Sequence, residues 1–399
     1  MSRYIAVDDA RTQILKIIEG APTGQERVPL AKALGRTLAE PIRAPQEWPP
    51  FARAAMDGFA FRAEDTPGTL HVIGTLYAGD VWDQPLKPGE AIRIMTGAPV
   101  PPGANTVLEQ ERVTDGPAIA VLDRIRPHRN IMPQGHEYRE GDAVLPQGSV
   151  LSPLALGQLA AFGLAEVSTA VPPRVLILTT GDEVQSGGKP LKPGRIYDAT
   201  GPLLAALLTE MGARPSHWHV PDQPKRLLGA FDKARSGHFR LIITTGGVSV
   251  GQRDYLPELL ERHFDRLFWR VDMHPGKATA AAVLDKHTPI VALSGNPGAS
   301  LTAWYLLVAP LAAALTGRSY ALRAIHGRLL HPYPKSTRET RYLKARFQFL
   351  KDGIGFEVID NQSSDALRSF AEADGLVVIP HGSPPQEAGQ VLEGLWLPR

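Results

Sequence analysis

The chain has 399 residues, of which 43% are hydrophobic and 21% charged, and its formal net charge at pH 7 is +2. This length exceeds one ordinary core, so we expect roughly two to four domains. The near-neutral balance gives no electrostatic basis for binding nucleic acid or a membrane surface. The absence of cysteine excludes disulfides and thiolate chemistry, and it fits a reducing compartment. We therefore expect a cytoplasmic protein.

The first part of the chain predicts a helical domain interrupted by a β-rich insertion. MSRYIAVDDARTQILKIIEG is charged throughout, so no signal peptide is expected, and residues 8–20 have the spacing of an amphipathic helix. VPLAKALGRTLAE predicts a second helix, and SPLALGQLAAFGLA a third with Ser152 as N-cap. The runs LHVIGTLYAG, EAIRIMTG and AIAVLDRI between them predict short strands. We expect a helical domain from residues 1–45 and 140–171 and an inserted β-rich domain at 46–139.

From residue 172, apolar β-branched runs alternate with helical segments, from RVLILTT to PIVALS. Strands that are apolar throughout predict a multidomain α/β protein with a central, doubly wound, mostly parallel sheet. The apolar run AWYLLVAPLAAAL is short and contains Pro310, so it predicts a buried core helix. Farther on, YLKARFQF and IGFEVID flank Asp352-Gly353, which predicts a hairpin with this pair in the turn. We expect the α/β domain at 172–319 and a C-terminal β-barrel at 320–399.

Three polar loops that contain glycine follow strands of the predicted sheet: TTGDE (179–183), TTGGVSVGQRD (244–254) and SGNPGAS (294–300). They match neither G-x-G-x-x-G nor a Walker loop. At the carboxyl edge of an open α/β sheet, however, their N–H and hydroxyl groups are suited to phosphate oxygens. The predicted binding residues are Thr180, Gly181, Thr245, Gly246, Gly247, Ser249, Ser294, Gly295 and Asn296.

Acids stand in the same loops, at Asp182, Glu183 and Asp254. Bare carboxylates beside phosphates repel each other, and a bridging Mg²⁺ removes the conflict, so these three acids are the predicted metal ligands. The alternative is that they cap helices or are solvated. Asp222, in HVPDQP, has two similar interpretations, as a functional ligand or as the N-cap of a helix at 223–235.

A further strand is followed by RVDMHPGK, which places Arg270, His274 and Lys277 where cations would hold an oxyanion. For His274 alone, a surface histidine is the plainer alternative. The 12 histidines include no H-E-x-x-H spacing, and Ser294 and Ser300 lie in no G-x-S-x-G elbow. Zinc-dependent and serine hydrolase functions are therefore unsupported.

Eight motifs follow one another in a specific order along nearly the whole chain: VPLAKALGRTLAE, AMDGFA, EAIRIMTGAPVPPGA, TTGDE, GRIYDATGP, TTGGVSVGQRDY, PGK and SGNPGAS. Together they resemble the MoeA family of molybdopterin molybdenumtransferases, which includes the E domain of gephyrin. The family's α/β domain is MogA-like and also occurs alone in adenylyltransferases of the same pathway. The AMDG and RIMTGAP motifs and the C-terminal β domain favour the longer transferase.

The resemblance implies an enzyme that takes adenylylated molybdopterin and molybdate, uses a divalent ion, and yields molybdenum cofactor and AMP. It also implies a homodimer whose active site combines the α/β loops of one subunit with the inserted domain of the other. Contact with the molybdopterin adenylyltransferase is a further expected partnership. The positions that match the family's functional residues are Asp57, Thr96, Glu183, Asp222 and Asp254, with Asp198 in the GRIYDATGP motif.

The chain departs from the usual family pattern at several positions. This chain has FARA where the family usually has F-D-x-S, GHEY in place of G-E-D-I, and HPGK in place of K-P-G-K. A threonine replaces the asparagine of the family's Y-D-S-N-G-P motif. We expect the changed residues to cluster at the oxyanion or dithiolene end, and His274 to weaken oxyanion binding above roughly pH 7. Adenylyl transfer from ATP and a non-catalytic pterin-binding scaffold stay open as alternatives, as does tungsten in place of molybdenum. The changed residues are Ala52, Ala54, Glu137, Thr200, Arg270 and His274.

Overall fold

A computed structural model describes residues 4–20, 24–248 and 255–398. Its centre is a six-stranded sheet in which the first four strands are parallel, the fifth is antiparallel to the fourth, and the sixth is antiparallel to the fifth. The predicted doubly wound, mostly parallel sheet is therefore confirmed. The strand at 280–285 was not predicted, because its alanines carry little β-propensity and only its two neighbours define it. In spatial order the strands are Arg214–Val220, Arg174–Thr180, Leu241–Thr245, Thr288–Leu293, Ala280–Asp285 and Asp265–Trp269.

Helices cover both faces of this sheet, each face with its own apolar core. Pro297–Leu315 is long and apolar enough to cross a membrane, but most of it is buried in the protein, as predicted for a core helix. It contains a widened π-helical turn at Trp304–Val308. Pro310 explains this turn, because proline has no N–H to donate to the carbonyl four residues earlier. The other helices of this domain are Thr200–Glu210, Pro224–Ser236 and Leu256–His263.

The N-terminal helix Val7–Ile18 lies on the central sheet, although the sequence grouped it with the first domain. Its buried side chains Val7, Ala10 and Ile14 join the same core as Trp304. Three apolar positions at helical spacing give this helix one apolar face. That face is buried against the core of the central domain. The helix thus belongs by packing to the central sheet.

The rest of the first domain is built on the antiparallel pair Gln25–Pro29 and Glu166–Ala170, with the helix Pro153–Ala161. The Ser152 hydroxyl caps this helix and accepts the Ala155 N–H at 3.2 Å, as predicted. The prediction of a helix over VPLAKALGRTLAE is wrong, since only a 3₁₀ turn forms at Leu30–Lys32. The reason is tertiary, because the following backbone N–H groups bond to carbonyls of residues 149–151 instead of continuing a helix.

The insertion is a five-stranded sheet, and the three runs predicted there are strands. Two more, Gly58–Phe61 and Thr106–Glu109, were missed because they are only four residues long and lack polar alternation. In spatial order the strands are Thr106–Glu109, Gly58–Phe61, Glu90–Ile94, Gly68–Leu76 and Ala118–Val121. A small pair, Arg53–Ala54 with Ile131–Met132, adjoins this sheet.

Two antiparallel segments, which we call the stalk, join the insertion to the first domain. Ile42–Arg43 pairs with Ala143–Leu145, and Trp48 bridges to Tyr138. The Tyr138 ring meets Phe162 edge-on, with ring centroids 5.5 Å apart. The chain therefore leaves for the insertion and returns from it side by side.

The C-terminal region is a closed five-stranded barrel, as predicted. The predicted hairpin is present, but Leu350 pairs with Gly353, so its turn is Lys351-Asp352 and the sequence placed it one residue late. A short helix, Leu367–Glu372, covers the barrel, and Tyr342 packs into the central core. The strands in order are Arg323–Leu329, Gly353–Val358, Arg341–Leu350, Gly375–Ile379 and Val391–Trp396.

Candidate functional site

The three predicted phosphate loops meet at the carboxyl edge of the central sheet. The Gly246 N–H donates to the Leu293 carbonyl at 3.2 Å. A Cβ on Gly246 would lie 2.6 Å from the Thr180 carbonyl oxygen, and one on Gly295 would lie 3.4 Å from the Gly246 Cα. Thr180, Gly246 and Gly295, from three different loops, are therefore in direct contact.

Backbone conformation keeps this edge open. Gly246 and Gly247 have φ values of +89° and +64°, in the left-handed region that favours glycine. The Gly246 N–H is already bonded to the Leu293 carbonyl, so an anion at this edge would be bound by the other N–H groups and the hydroxyls of the loops. Thr245 is buried at the end of its strand, and Ser294 accepts the Asn296 N–H at 3.3 Å. Ser249 and Asp254 lie outside the described residues.

We call the place where the Thr180, Gly246 and Gly295 loops meet the phosphate cradle. Acidic side chains lie beside it. Asp182 and Glu183 are exposed, and both Glu183 carboxylate oxygens lie 2.9 Å from where a Cβ on Gly181 would be, so Glu183 folds back over this glycine. The Thr180 hydroxyl donates to the Asp222 carboxylate. The helix at Pro224 has Gln223 as N-cap, with no side-chain cap bond, so the N-cap interpretation of Asp222 is wrong.

These acids fit Mg²⁺. Within the described part of the chain, no three His, Cys, Asp or Glu side chains form a metal-binding group. Mg²⁺ does not need such a cage, because it usually takes one or two carboxylates and completes its shell with phosphate oxygens and water. Exposed carboxylates beside a phosphate cradle are a suitable oxygen-only donor set.

Asp198 fastens the GRIYDATGP segment to the same edge. Its carboxylate accepts the Gly201 N–H at 2.8 Å and lies 3.1 Å from His217 Nε2, which is also 2.7 Å from the Thr179 hydroxyl. Burial raises the pKa of Asp198, but these hydrogen bonds outweigh it and leave the pKa below its ordinary value. With its side chain 5% exposed, Asp198 holds a loop in place, and no sequence pattern predicted His217 as its partner.

A second cluster lies between the HPGK loop and the barrel, around a cavity of about 510 Å³. Three basic residues of the barrel side, His331, Lys335 and Arg341, line it together with His274. Arg341 Nη1 donates to the Tyr333 hydroxyl at 3.2 Å, while its buried Nε has no hydrogen-bond partner among the described residues. Lys335 and Arg341 thus give the cavity two positive charges, against one carboxylate from Asp360. Its other lining residues are Pro332, Tyr333, Pro334, Val358, Ile359, Asp360, Gln362 and Ser363.

The predicted cations divide between different environments. His274 lines the cavity, where burial and then Arg341 lower the pKa of its imidazole below the ordinary 6.5. Lys277 Nζ lies 3.3 Å from a Glu339 carboxylate oxygen, and Arg270 is not a lining residue of the described cavity. At neutral pH the positive charge of the cavity therefore comes from the barrel.

The sequence did contain a signal for the barrel residues. KSTRETR, at 335–341, is a basic run, and NQSS, at 361–364, supplies an amide and hydroxyls. Neither follows a strand of the α/β sheet, so the rule that places a site at the carboxyl edge of the sheet does not point to them. Only the docking of the barrel brings them to the HPGK loop.

A polar pair belongs to the insertion rather than to the sheet edge. Asp57 Oδ1 accepts both the backbone N–H and the hydroxyl of Thr96, each at 2.7 Å. These two hydrogen bonds lower the pKa of Asp57. Both residues are exposed, so an ionised carboxylate is presented on the surface of the inserted domain.

Within one chain the changed residues lie apart, and their clustering at a site shared by two subunits stays a prediction. Ala54 packs in the apolar core of the insertion, and the Ala52 carbonyl accepts the Val100 N–H nearby. Glu137 lines a groove beside the stalk. Thr200 begins a helix of the central domain, and only His274 lies in the cationic cavity.

Comparison with known proteins agrees with this architecture. Residues 5–163 match the MoeA N-terminal region (domains I and II), 176–314 a probable molybdopterin-binding domain, and 326–395 the MoeA C-terminal region (domain IV). The chain is 34% identical to a molybdopterin molybdenumtransferase of Haemophilus influenzae, over 98% of this chain and 96% of that one. It is 32% identical to one of Staphylococcus epidermidis, over 98% and 94%.

A solved relative extends the agreement to three dimensions. The crystal structure of the molybdopterin biosynthesis MoeA protein from Pyrococcus horikoshii OT3 superposes with a TM-score of 0.83 at 26% identity. The match covers 99% of this chain and all of that one. The order of domains, the closed barrel and the full-length relatives lead to one conclusion: the chain belongs to the MoeA family of molybdopterin molybdenumtransferases.

Proposed function

We propose that this enzyme inserts molybdate into adenylylated molybdopterin, in a Mg²⁺-dependent reaction that releases AMP and molybdenum cofactor in the cytoplasm. The observation that carries the proposal is that a phosphate cradle adjoins a cationic cavity. A Cβ on Gly276, in the HPGK loop, would lie 3.2 Å from the Ala299 carbonyl oxygen of the SGNPGAS loop. One substrate with a phosphoanhydride and one oxyanion would thus be bound side by side.

At the nucleotide end, backbone N–H groups around Gly246 and Gly295 would seat the pyrophosphate. Asp222 accepts the Thr180 hydroxyl hydrogen, so its carboxylate lies next to the Thr180 loop. Asp182, Glu183 and Asp254 would hold Mg²⁺, which when bound neutralises the charge that develops as the phosphoanhydride breaks. The chain's own contribution is to fix the phosphates and to place acids beside them.

At the oxyanion end, the dianionic molybdate needs cations close to a phosphate that repels it. Arg341 and Lys335 supply them in the cavity, and the guanidinium presents several N–H donors in one plane. Arg341 is anchored by Tyr333, so its guanidinium is held in place before the anion arrives. His274, largely neutral above pH 7, would add a hydrogen bond rather than a charge.

The proposal includes a homodimer in which the inserted domain of one subunit completes the site of the other. Its support is the Asp57–Thr96 pair, which presents an ionised carboxylate on an exposed surface of the insertion. Direct delivery of the labile pterin nucleotide by a molybdopterin adenylyltransferase would complete the proposed partnership.

The test combines purified protein, adenylylated molybdopterin, molybdate and Mg²⁺, with AMP measured by chromatography and molybdenum in the pterin by mass spectrometry. We expect equal amounts of both products, and their loss in Glu183→Ala and Asp222→Asn but not in Glu111→Ala, an exposed acid of the insertion. Transfer of AMP from ATP onto free molybdopterin, without metal insertion, would show an adenylyltransferase instead. Full insertion by both acid variants would contradict the proposed mechanism.

A further inference from the structure

One short loop of the barrel region, residues 360–365, touches both halves of the proposed site. On one side Ser363 lines the cationic cavity. On the other, the Ser364 hydroxyl accepts the Asn296 side-chain N–H at 2.9 Å, in the SGNPGAS loop at the phosphate edge. The spacing between the two subsites therefore depends on where this loop sits.

The same loop is held from beneath by Lys344, which is completely buried. Lys344 Nζ donates to the Ser363 carbonyl at 2.9 Å. The Lys344 N–H donates to Gln362 Oε1 at 3.0 Å, and Gln362 Nε2 donates back to the Lys344 carbonyl at 2.9 Å. One residue of the barrel strand thus forms hydrogen bonds with two successive residues of the loop.

The lysine side chain points outward from the barrel, as the alternation along a strand requires, yet it is buried. Leu343 and Ala345, its neighbours, both point into the barrel core. Lys344 points the other way, toward the central domain, with Nζ 5.5 Å from the centroid of the Phe370 ring. Phe370 in turn stacks on Tyr305 of the long core helix. The ammonium group thus lies where the barrel packs against the α/β domain.

A buried ammonium is costly and is not needed for packing, since an apolar side chain would fill the same space. Burial lowers the pKa of Lys344, and the Asp365 carboxylate opposes this effect. What the lysine adds over an apolar residue is a directional bond to the loop carbonyl beside Ser364. That bond fixes the loop on the side of the phosphate edge.

We propose that Lys344 is a positioning residue that sets the spacing between the oxyanion cavity and the phosphate edge by holding the 360–365 loop. The inference rests on the proposed function, because it assumes that both subsites are filled in one reaction. It assigns Lys344 no contact with either substrate. Its loss should weaken the binding of both, since Ser363 and Ser364 would move together.

The first test compares Lys344→Met, Lys344→Arg and the control Lys351→Met, which makes the same change at the exposed hairpin turn. The KM values for molybdate and for adenylylated molybdopterin, kcat and Tm are measured on the full chain. We expect both KM values to rise about tenfold in Lys344→Met, with partial recovery in Lys344→Arg and no change in the control. A lower kcat with both KM values unchanged would mean fewer folded molecules only, and would overturn the inference.

The second test separates the two contacts and keeps the inference falsifiable if Lys344→Met folds poorly. Ser364→Ala removes the hydroxyl that binds Asn296 and leaves Lys344 intact. It should raise the KM for the pterin nucleotide several-fold, and its effect should be less than additive with that of Lys344→Met, because both act through one loop. Fully additive effects, or an unchanged KM in Ser364→Ala, would refute the coupling.

Molybdate binding to the full-length protein, measured by calorimetry without the pterin, provides a readout independent of turnover. We expect Lys344→Met to weaken it about tenfold relative to the wild-type protein. Wild-type protein that inserts no molybdenum would refute the proposed function itself. Wild-type activity combined with unchanged binding in Lys344→Met would refute only the positioning role.

Discussion

Replacing Gly246 by alanine should weaken nucleotide binding and slow the reaction strongly without unfolding the protein. The residue has a φ of +89°, and an added Cβ would lie 2.6 Å from the Thr180 carbonyl oxygen. Ordinary contact begins near 3.4 Å, so the loop would have to move by roughly 0.8 Å. A displacement of about 1 Å at a reacting centre can cost around a hundredfold in rate.

Gly79→Ala is the matched control. Its φ of +97° carries a similar conformational penalty, about 1–2 kcal/mol, but no atom lies within 4 Å of the added Cβ. Gly79→Ala should therefore lose only this penalty in urea unfolding, and Gly246→Ala should lose more because of its clash. Only Gly246→Ala should lose affinity for adenylylated molybdopterin, measured by fluorescence titration. If the two variants bind it equally well, the close approach of the three loops is not what forms the cradle.

Three further predictions concern other contacts. His274→Lys should strengthen molybdate binding in calorimetry about fivefold at pH 7.5, where the lowered pKa leaves the imidazole neutral, and the gain should shrink below pH 6 as His274 becomes protonated; equal gains at both pH values would contradict this. Arg318→Met should lower the free energy of unfolding by about 2–3 kcal/mol, because the guanidinium donates to the Thr37 hydroxyl and to the carbonyls of Gly35 and Glu210. An unchanged free energy of unfolding in chemical denaturation would show that these hydrogen bonds do not stabilise the fold. Ser152→Ala should cost about 1 kcal/mol in the same assay through the lost cap, whereas Ser152→Thr should retain it.

Sequence reasoning succeeded where function depends on local order. A loop that follows an apolar parallel strand must emerge at the carboxyl edge, so the meeting of Thr180, Gly246 and Gly295 follows from the pattern of strands alone. The capped helix after Ser152 and the hairpin of the barrel could likewise be predicted, because their signals lie in residues close together in the sequence. The one-residue error in the turn shows the limit of that information, because register is set by pairing across strands.

Contacts between domains could not be predicted in this way. Arg341 and Ser363 come from the barrel, and no local pattern connects them with His274 of the α/β domain. The false helix over VPLAKALGRTLAE has the same origin, since hydrogen bonds to a segment more than a hundred residues later decided its backbone. The buried Lys344 could not be predicted either, because a lysine in a strand normally indicates exposure.

The stalk has a consequence for how this architecture can be taken apart. Since Ile42–Arg43 and Ala143–Leu145 run side by side, the ends of the excursion are already neighbours. A short bridge could replace the whole insertion without stretching the remaining chain. The protein is in this sense modular: the platform that carries the phosphate cradle and the cationic cavity can be made without the module that carries Asp57 and Thr96. Mixing this truncated platform with full-length chains would then reveal whether one subunit can lend its module to another.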